Sequence, residues 1–557
     1  MLKVVILALN AKYVHSSLSV WVLAGSVSKY ARRPHDIAIV EATINNPDSN
    51  IADQVTAHKP DVIGISTYIW NASKLETLLP LLRHFLPRAI FVLGGPEASF
   101  NAEYWLARGA DYVLPGQGEY SFPALLDGFE EGSQATPEQV VSPNLHEASD
   151  ARDVRDARDV RDATRPPPGK RPLKPVDPYT EEYFAALGGR IVYLETSRGC
   201  PFKCSFCLSA NSGVEFFPLD TAKKQLEALC SAGARTVKLV DRTFNCDPKR
   251  AFELFEHVIG LETACSFHFE VAPDLFDEET ISLLRTAPPG RIQLEAGLQS
   301  FYEPTLESAS RQTDLGKAKR NILAILSGKN IHLHLDLIAG LPHERLPDFM
   351  DSFDKAYSLG AHNLQLGFLK LLHGSALRGR AKSLGIRYEE QPPYEILSAP
   401  WLNSEDILSL KQAENALRNT HNKGRFIKTL KYAQEASGLR PFALYHSLGG
   451  AVPNRGADLT KYASGIYEFF SSLPGINQEQ LRDCMVFDWL GMVKGKNLPS
   501  FMKTLSSRKP WVLEAAEKRL GRSVRRGEAV ALSNGEGLFV DSGKYDPVTG
   551  LYCVYII

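Results

Sequence analysis

The sequence predicts an α/β protein in three parts: a doubly wound, flavodoxin-like domain, a partial (βα)6 TIM-type barrel, and a mainly α-helical C-terminal domain. Three observations carry this reading. Residues 1 to about 128 alternate short apolar runs with amphipathic stretches. The same alternation returns between about Arg190 and Arg387, and beyond about residue 395 the segments read as helices. Strands that alternate with helices imply right-handed crossovers and a parallel sheet.

In the first part (1–129) the expected strands are Lys3–Ala8, Ile37–Val40, Val62–Ile65, Ile90–Leu93 and Tyr112–Leu114, with helices such as Ser17–Tyr30, Ser73–Phe85 and Glu119–Phe129. Such sheets bind ligands beyond the carboxyl ends of their strands. Residues 130–186 read as a flexible linker. The ARDVRD repeat from Ala151 to Asp162, followed by Pro166–Pro168, balances its charges and has almost no large apolar residue with which to bury a core. The barrel (187–390) is expected on strands Ile191–Thr196, Thr236–Val240, Ser266–Val271, Gln293–Gly297, His332–Ile338 and Asn363–Leu369, with reactive groups at their carboxyl ends. The last part (391–557) reads as helices Asp406–Arg418, Arg425–Gln434, Gln478–Met492 and Trp511–Leu520, then a β-rich stretch from Ala529 to Ile557.

Lys and Arg number 63 against 64 Asp and Glu, so no global field favours nucleic acid or an anionic membrane. No segment approaches the roughly 20 consecutive apolar residues of a membrane span. The opening MLKVVILALNAKY is short and lacks a small-residue cleavage site, so it reads as a buried strand and the protein is expected in the cytoplasm. Three of the eight cysteines crowd one loop.

That loop is YLETSRGCPFKCSFC, Tyr193 to Cys207, which sets C-x3-C-x2-C directly after a strand. Thiolates are the ligands of iron–sulfur clusters, and four are the usual complete set. Cys200, Cys204 and Cys207 supply only three, leaving one iron open to chelate the amine and carboxylate of S-adenosylmethionine (SAM). Zinc also takes thiolates, but its ribbons pair two separated C-x2-C motifs, and there is no second pair. The loop resembles that of the radical SAM superfamily, including the aromatic Phe206, which in that superfamily lies near the adenine. The resemblance implies a [4Fe–4S] cluster that cleaves SAM reductively to a 5′-deoxyadenosyl radical. It also implies an external electron donor such as flavodoxin or ferredoxin.

Four further segments, FHFEVAPD (267–274), EAGLQS (295–300), SASRQT (308–313) and HLDLIAGLP (334–342), each set a polar residue at or just beyond an apolar strand end. There it needs a partner. They resemble the radical SAM branch that includes oxygen-independent coproporphyrinogen oxidase. By that resemblance Glu270, Gln299, Arg311 and Asp336 contact SAM, although the Arg segment lacks the usual Gly or following His. Tyr302, Asp241 and Asn245 read equally as structural or cavity-lining.

A doubly wound domain ahead of such a barrel resembles the cobalamin-dependent radical SAM class, with a helical C-terminal domain of unknown function. Candidate cobalamin residues are Ser66, Tyr68, Trp70, Gly94 and Gly95, on loops after strands. For the aromatics, packing between domains is an equal reading. The Asp-x-His-x-x-Gly loop of methionine synthase-like domains is missing: NAKYVHS (10–16) has no Asp, and His15 is out of register. The leading reading is a methyltransferase acting on an unactivated carbon; which small molecule or peptide it acts on is not something the resemblance supplies. Two alternatives stay open: cobalamin-dependent cyclisation or oxidation without methyl transfer, and an N-terminal domain that holds a partner without cobalamin. Lys370, His373 and Arg378 read as a hold for an anionic substrate or as solvated charges.

Overall fold

The computed structural model describes residues 1–130, 176–210, 212–453, 456, 458–493, 498–503, 510–524 and 528–557; the hexad repeat and the prolines after it lie outside them. Two compact units emerge. One comprises Met1–Glu270, Ala309–Arg311 and Lys370–Ile396; the other comprises Val271–Ser308, Gln312–Leu369 and Leu397–Ile557. Among the described residues no helix is long and apolar enough to cross a membrane.

The first unit opens with β1 (Lys3–Asn10), α1 (Leu18–Tyr30), β2 (Asp36–Thr43), α2 (Asp48–Ala57), β3 (Val62–Ser66), α3 (Ala72–Phe85), β4 (Ile90–Gly94), α4 (Pro96–Ser99), α5 (Ala102–Ala107), β5 (Tyr112–Leu114) and α6 (Gly118–Glu130). The strands pair in parallel in the order β2-β1-β3-β4-β5. Residues Val5, Leu7 and Leu9 of β1 pack with Ile51, Val55, Leu75 and Leu79 on one face. Val4, Ile6 and Ala8 pack with Val20, Val27, Phe122 and Leu126 on the other. Burial of both faces is why β1 reads as an unbroken apolar run. The order reverses at β1 and β3, so a crevice opens beyond their carboxyl ends.

Glu41 on β2 gathers four donors there. Its carboxylate accepts from Asn10 Nδ2 at 2.9 Å, Ser17 N at 3.0 Å, Trp21 Nε1 at 2.8 Å and Arg190 Nη1 at 2.8 Å. Helix α7 (Glu181–Leu187) occupies the end of the span expected as linker, and it buries Tyr183 edge-on against Trp21.

Then come β6 (Val192–Leu194), β7 (Ser197–Cys200), β8 (Gly213–Phe216), α8 (Leu219–Ser231), β9 (Thr236–Leu239), α9 (Pro248–Gly260) and β10 (Ser266–Val271). The strand expected over Ile191–Thr196 is shorter than its apolar run. The chain leaves the sheet after Leu194, and β7 pairs antiparallel with β8 instead.

The second unit carries α10 (Glu278–Arg285), β11 (Ile292–Gln299), α11 (Glu303–Ser308), α12 (Leu315–Leu326), β12 (His332–Ala339), α13 (Leu346–Ser358) and β13 (Asn363–Phe368). The barrel sheet runs in chain order, β13-β12-β11-β10-β9-β6. Along β11 and β12 apolar residues buried under the helices alternate with half-buried polar ones, Gln293, Glu295 and Gln299 on β11 and His332, His334 and Asp336 on β12. The polar set therefore shares the other face.

After β13 the segment 370–396 belongs to the first unit and includes α14 (Ala376–Arg380) and β14 (Arg387–Tyr388); β15 (Ile396–Ser398) leads out of it. The chain continues through α15 (Ser404–Asn419), α16 (Ile427–Ser437), α17 (Pro441–Ala451), α18 (Leu459–Ser471), α19 (Gln478–Met492) and α20 (Pro510–Leu520). It ends in an antiparallel sheet of β16 (Ala529–Ala531), β17 (Gly537–Tyr545) and β18 (Tyr552–Ile556).

Candidate active site

The cysteine loop is closed at its base by the β7–β8 pair. Gly199 there has φ of +100°, and a Cβ on it would lie 1.8 Å from Gly213 O, so no other residue fits. The entry is pinned by Asp241, which is 1% exposed. It accepts from Thr196 N at 3.0 Å, Thr196 Oγ1 at 2.7 Å and Ser197 Oγ at 2.5 Å. Asp241 is thus a structural anchor of the loop. Burial pushes its carboxyl upward against those three donors.

The thiols of Cys200 and Cys204 are buried and that of Cys207 is half-buried. Ser209 N donates to Cys207 Sγ at 3.4 Å, and Thr243 Oγ1 lies 3.5 Å from Cys200 Sγ. Arg311 Nη1 lies 3.7 Å from Cys204 Sγ, its guanidinium set over the Phe202 ring. Burial raises the Cys204 thiol, and Arg311 works in the opposite direction. Three thiols on one tight loop, met by a backbone N–H and a fixed cation, make a donor set suited to an anionic thiolate-held cluster. The hydroxyl of Ser205, inside the loop, is buried without a hydrogen-bond partner among the described residues.

Arg311 reaches the thiols through a turn at Ser310, whose φ of +54° is one that glycine favours. The backbone conformation survives although the usual Gly does not. Ser205 N donates to Ala309 O at 2.9 Å and ties the two segments together. Phe206 is half-buried in the same loop. Glu270 pairs with Lys238 Nζ at 3.5 Å, a partner the sequence did not flag.

In the second unit Gln299 ends β11 with φ of +69° and its Oε1 buried without a partner among the described residues. A Cβ on Gly297 would lie 2.3 Å from Gln299 Nε2, so the glycine makes room for this side chain. A strained residue holding an orphan acceptor is a mark of a ligand contact. Asp336 Oδ1 lies 3.0 Å from His334 Nε2, and Glu295 shares the cluster. His334 was hidden among the alternating residues of HLHLDL.

At the crevice of the first sheet, Ser66 stands opposite Gly94 in register. Thr67 N donates to Gly94 O at 2.7 Å, and a Cβ on Gly95, at φ +95°, would lie 2.6 Å from Thr67 O. The approach of the β3 loop therefore explains Gly95. Thr67 itself, which sequence reasoning passed over, has a buried Oγ1 without a partner among the described residues.

The Tyr68 and Trp70 rings stack 4.2 Å apart at 8°. Trp70 Nε1 donates to Leu9 O at 3.2 Å, and Asn71 Nδ2 donates to Ser66 O at 2.9 Å. This ties the loop to β1 and leaves Trp70 46% exposed. Burial raises the Tyr68 hydroxyl. A broad aromatic face beside an orphan hydroxyl and a glycine turn fits a large, flat ligand with a polar tail. His15 is engaged elsewhere: its Nδ1 lies 2.7 Å from Tyr193 Oη.

Three families match the chain: B12 binding domain over residues 4–126, Radical SAM superfamily over 194–356, and a protein of unknown function, DUF4080, over 382–520. The chain is 21% identical over 480 residues to the cobalamin-dependent radical SAM methyltransferase TokK of Streptomyces tokunonensis, covering 81% of this chain and 68% of that one. It is 23% identical over 338 residues to the anaerobic magnesium-protoporphyrin IX monomethyl ester cyclase of Rubrivivax gelatinosus, covering 58% of each. Among solved structures, the cobalamin-dependent S-adenosylmethionine radical enzyme OxsB with aqua-cobalamin and S-adenosylmethionine bound shares the fold. Its TM-score is 0.55 at 13% identity, covering 87% of this chain and 78% of that one. The B12 binding match overturns the reading of the first domain as a partner-binding module without cobalamin. With that domain ahead of a radical SAM domain, the chain belongs to the cobalamin-dependent radical SAM enzymes, whose cofactors are a [4Fe–4S] cluster, SAM and cobalamin.

Proposed function

We propose that this enzyme methylates an unactivated carbon of a small-molecule or peptide substrate. The observation that carries the reading is the three-thiol loop, with Arg311 beside it, in the same compact unit as the crevice of Thr67 and Trp70. Likeness to TokK over most of the chain supports methyl transfer. Cys200, Cys204 and Cys207 hold the cluster, and Arg311, Phe206, Glu270, Gln299 and Asp336 hold SAM. Arg311 answers the SAM carboxylate as a fixed cation, and the orphan Oε1 of Gln299 accepts a hydrogen bond from the bound cofactor. Ser66, Thr67, Tyr68, Trp70, Gly94 and Gly95 hold cobalamin, with Trp70 excluding water from its face. When bound, the cofactors supply a carbon radical generator and a methyl donor.

The enzyme needs an external reductant, for which flavodoxin or ferredoxin is the expected donor. Among the described residues the eight cysteines form no disulfide, which fits the cytoplasm. Likeness to the cyclase favours a second reading, radical chemistry without methyl transfer.

The test is anaerobic reconstitution with iron, sulfide and hydroxocobalamin, then reduction in the presence of methyl-labelled SAM and a cell extract. Roughly four irons and one cobalt per chain, 5′-deoxyadenosine and labelled product are expected. 5′-Deoxyadenosine with no label transferred would select the second reading.

A further inference from the structure

Segment Lys370–Ile396 follows the last barrel strand in sequence, yet it packs within the first unit and touches both cofactor loops. At the cysteine loop, Leu377 N donates to Ser205 O at 2.8 Å, one residue beyond Cys204. At the crevice loop, Tyr394 Oη donates to Glu97 Oε1 at 2.5 Å, across 297 residues of sequence. Both partners are buried, Tyr394 at 3% and Glu97 at 5% exposed. Gly374, at φ +85°, lies so close to Phe100 that a Cβ would sit 2.3 Å from the ring. Glu97 and Phe100 follow directly on the Gly94–Gly95 turn.

Tyr394 is itself clamped. The Arg378 guanidinium lies 4.7 Å over its ring, His373 meets it edge-on at 5.0 Å, and its carbonyl accepts from Leu371 N at 2.9 Å. His373 and Arg378 are thus committed to this tyrosine rather than free for an anionic substrate. A buried carboxylate is costly unless its partners stay in place. The Glu97–Tyr394 bond therefore holds the two segments to one geometry.

We propose that Lys370–Ile396 is a brace that sets the spacing between the cluster loop and the cobalamin loop, with Tyr394 as its positioning residue on Glu97. The inference rests on the cofactor placements above. Radical generation and methyl donation must converge on one substrate carbon. Reacting atoms need to approach within about 3–3.5 Å, and a misplacement of about 1 Å costs on the order of 100-fold. Two cofactors on separate loops require a rigid link between them.

The holoenzyme and its Y394F, E97A and E97Q variants test this. Pulsed dipolar EPR between cobalt(II) cobalamin and the reduced cluster reads the distance between cofactors directly. The wild type and E97Q, whose amide oxygen still accepts from Tyr394, should give one narrow distribution. Y394F and E97A should broaden or shift it. Labelled methyl transfer in these two should fall about 10-fold while 5′-deoxyadenosine formation holds. Should Y394F or E97A lose its cofactors, R378K, which keeps the Glu97–Tyr394 bond but loosens the guanidinium's hold on the Tyr394 ring and on Leu371 O, should show the same broadening at smaller amplitude. Unchanged distances in folded, loaded variants would overturn the brace alone. A wild type that loads iron but no cobalt would overturn the cofactor placement and the brace with it, and would be seen before any variant is made.

Discussion

The cysteine loop and the crevice loops hold their groups by opposite means. Around Cys200–Cys207 the turn itself is closed by residues close in sequence: Ser209 on Cys207, Ser212 on Cys200, and Gly213 against Gly199. Asp241, 45 residues from Thr196, closes the entry, and Ala309, Arg311 and Leu377 reach the loop from farther away. The crevice is the reverse. Asn71 reaches back 62 residues to Leu9, and Glu97 waits for a tyrosine 297 residues downstream. A site closed by its own neighbours can be written as a motif. One closed by distant partners cannot, and it depends on the rest of the chain having folded.

The contrast can be broken most sharply at Cys204. C204A should lower 5′-deoxyadenosine formation by roughly 1,000-fold or more, since it removes one thiolate of the set. Cobalamin binding, followed by absorbance titration, should change little. Loss of both together would show that the loops are not independent.

T67V probes the other side and carries two signs. Removing an unpaired buried hydroxyl should stabilise the apoprotein in chemical unfolding, whereas a lost hydrogen bond to bound cobalamin should weaken its affinity by about 5–10-fold. An unchanged dissociation constant would remove Thr67 from the site.

Acid sharpens the comparison with a smaller effect. Burial, followed by the nearby Arg378 charge, lowers His373 to about 4, and burial likewise lowers His15. A histidine whose pKa is depressed in the folded state contributes no penalty above its unfolded value of ~6.5 and costs stability as pH falls from there toward about 4. Asp241, beside the cysteine loop, is raised and has the opposite sign: its contribution is lost as pH rises. From pH 6.5 to 5, H373Q should lose less stability than the wild type. After discounting for solvent, the difference is about 1 kcal/mol. Parallel unfolding curves for the two proteins over that range would contradict the assignment.

Sequence reading reached the α/β architecture because its signals are periodic. β5 and β10 begin and end where the alternation places them, and all six barrel strands fall within two residues of expectation. The break between β6 and β7 was illegible, because the carboxylate that holds Thr196 and Ser197 lies after another strand. Helix α17 was not among the expected helices, and two glycines, Gly449 and Gly450, sit near its end. Gly449 is there because a Cβ would lie 2.0 Å from the Gln412 carbonyl, where α15 passes. Thr67 had no signal of its own between Ser66 and Tyr68, and nothing near Tyr394 points to Glu97. The misses at Asp241, Gly449 and Tyr394 are residues whose reason lies in a distant partner.

Glu41 bears on how such enzymes can be recombined. The family boundaries, 126 and 194, suggest that the first domain could be exchanged as a cassette. Yet one of the four donors closing the Glu41 carboxylate is Arg190, contributed from outside both boundaries. A graft cut at residue 126 would leave that carboxylate buried and short of its only cation among those donors. A graft extended through the β6 segment would carry its own counterion, so the workable crossover lies inside the neighbouring barrel rather than between the domains.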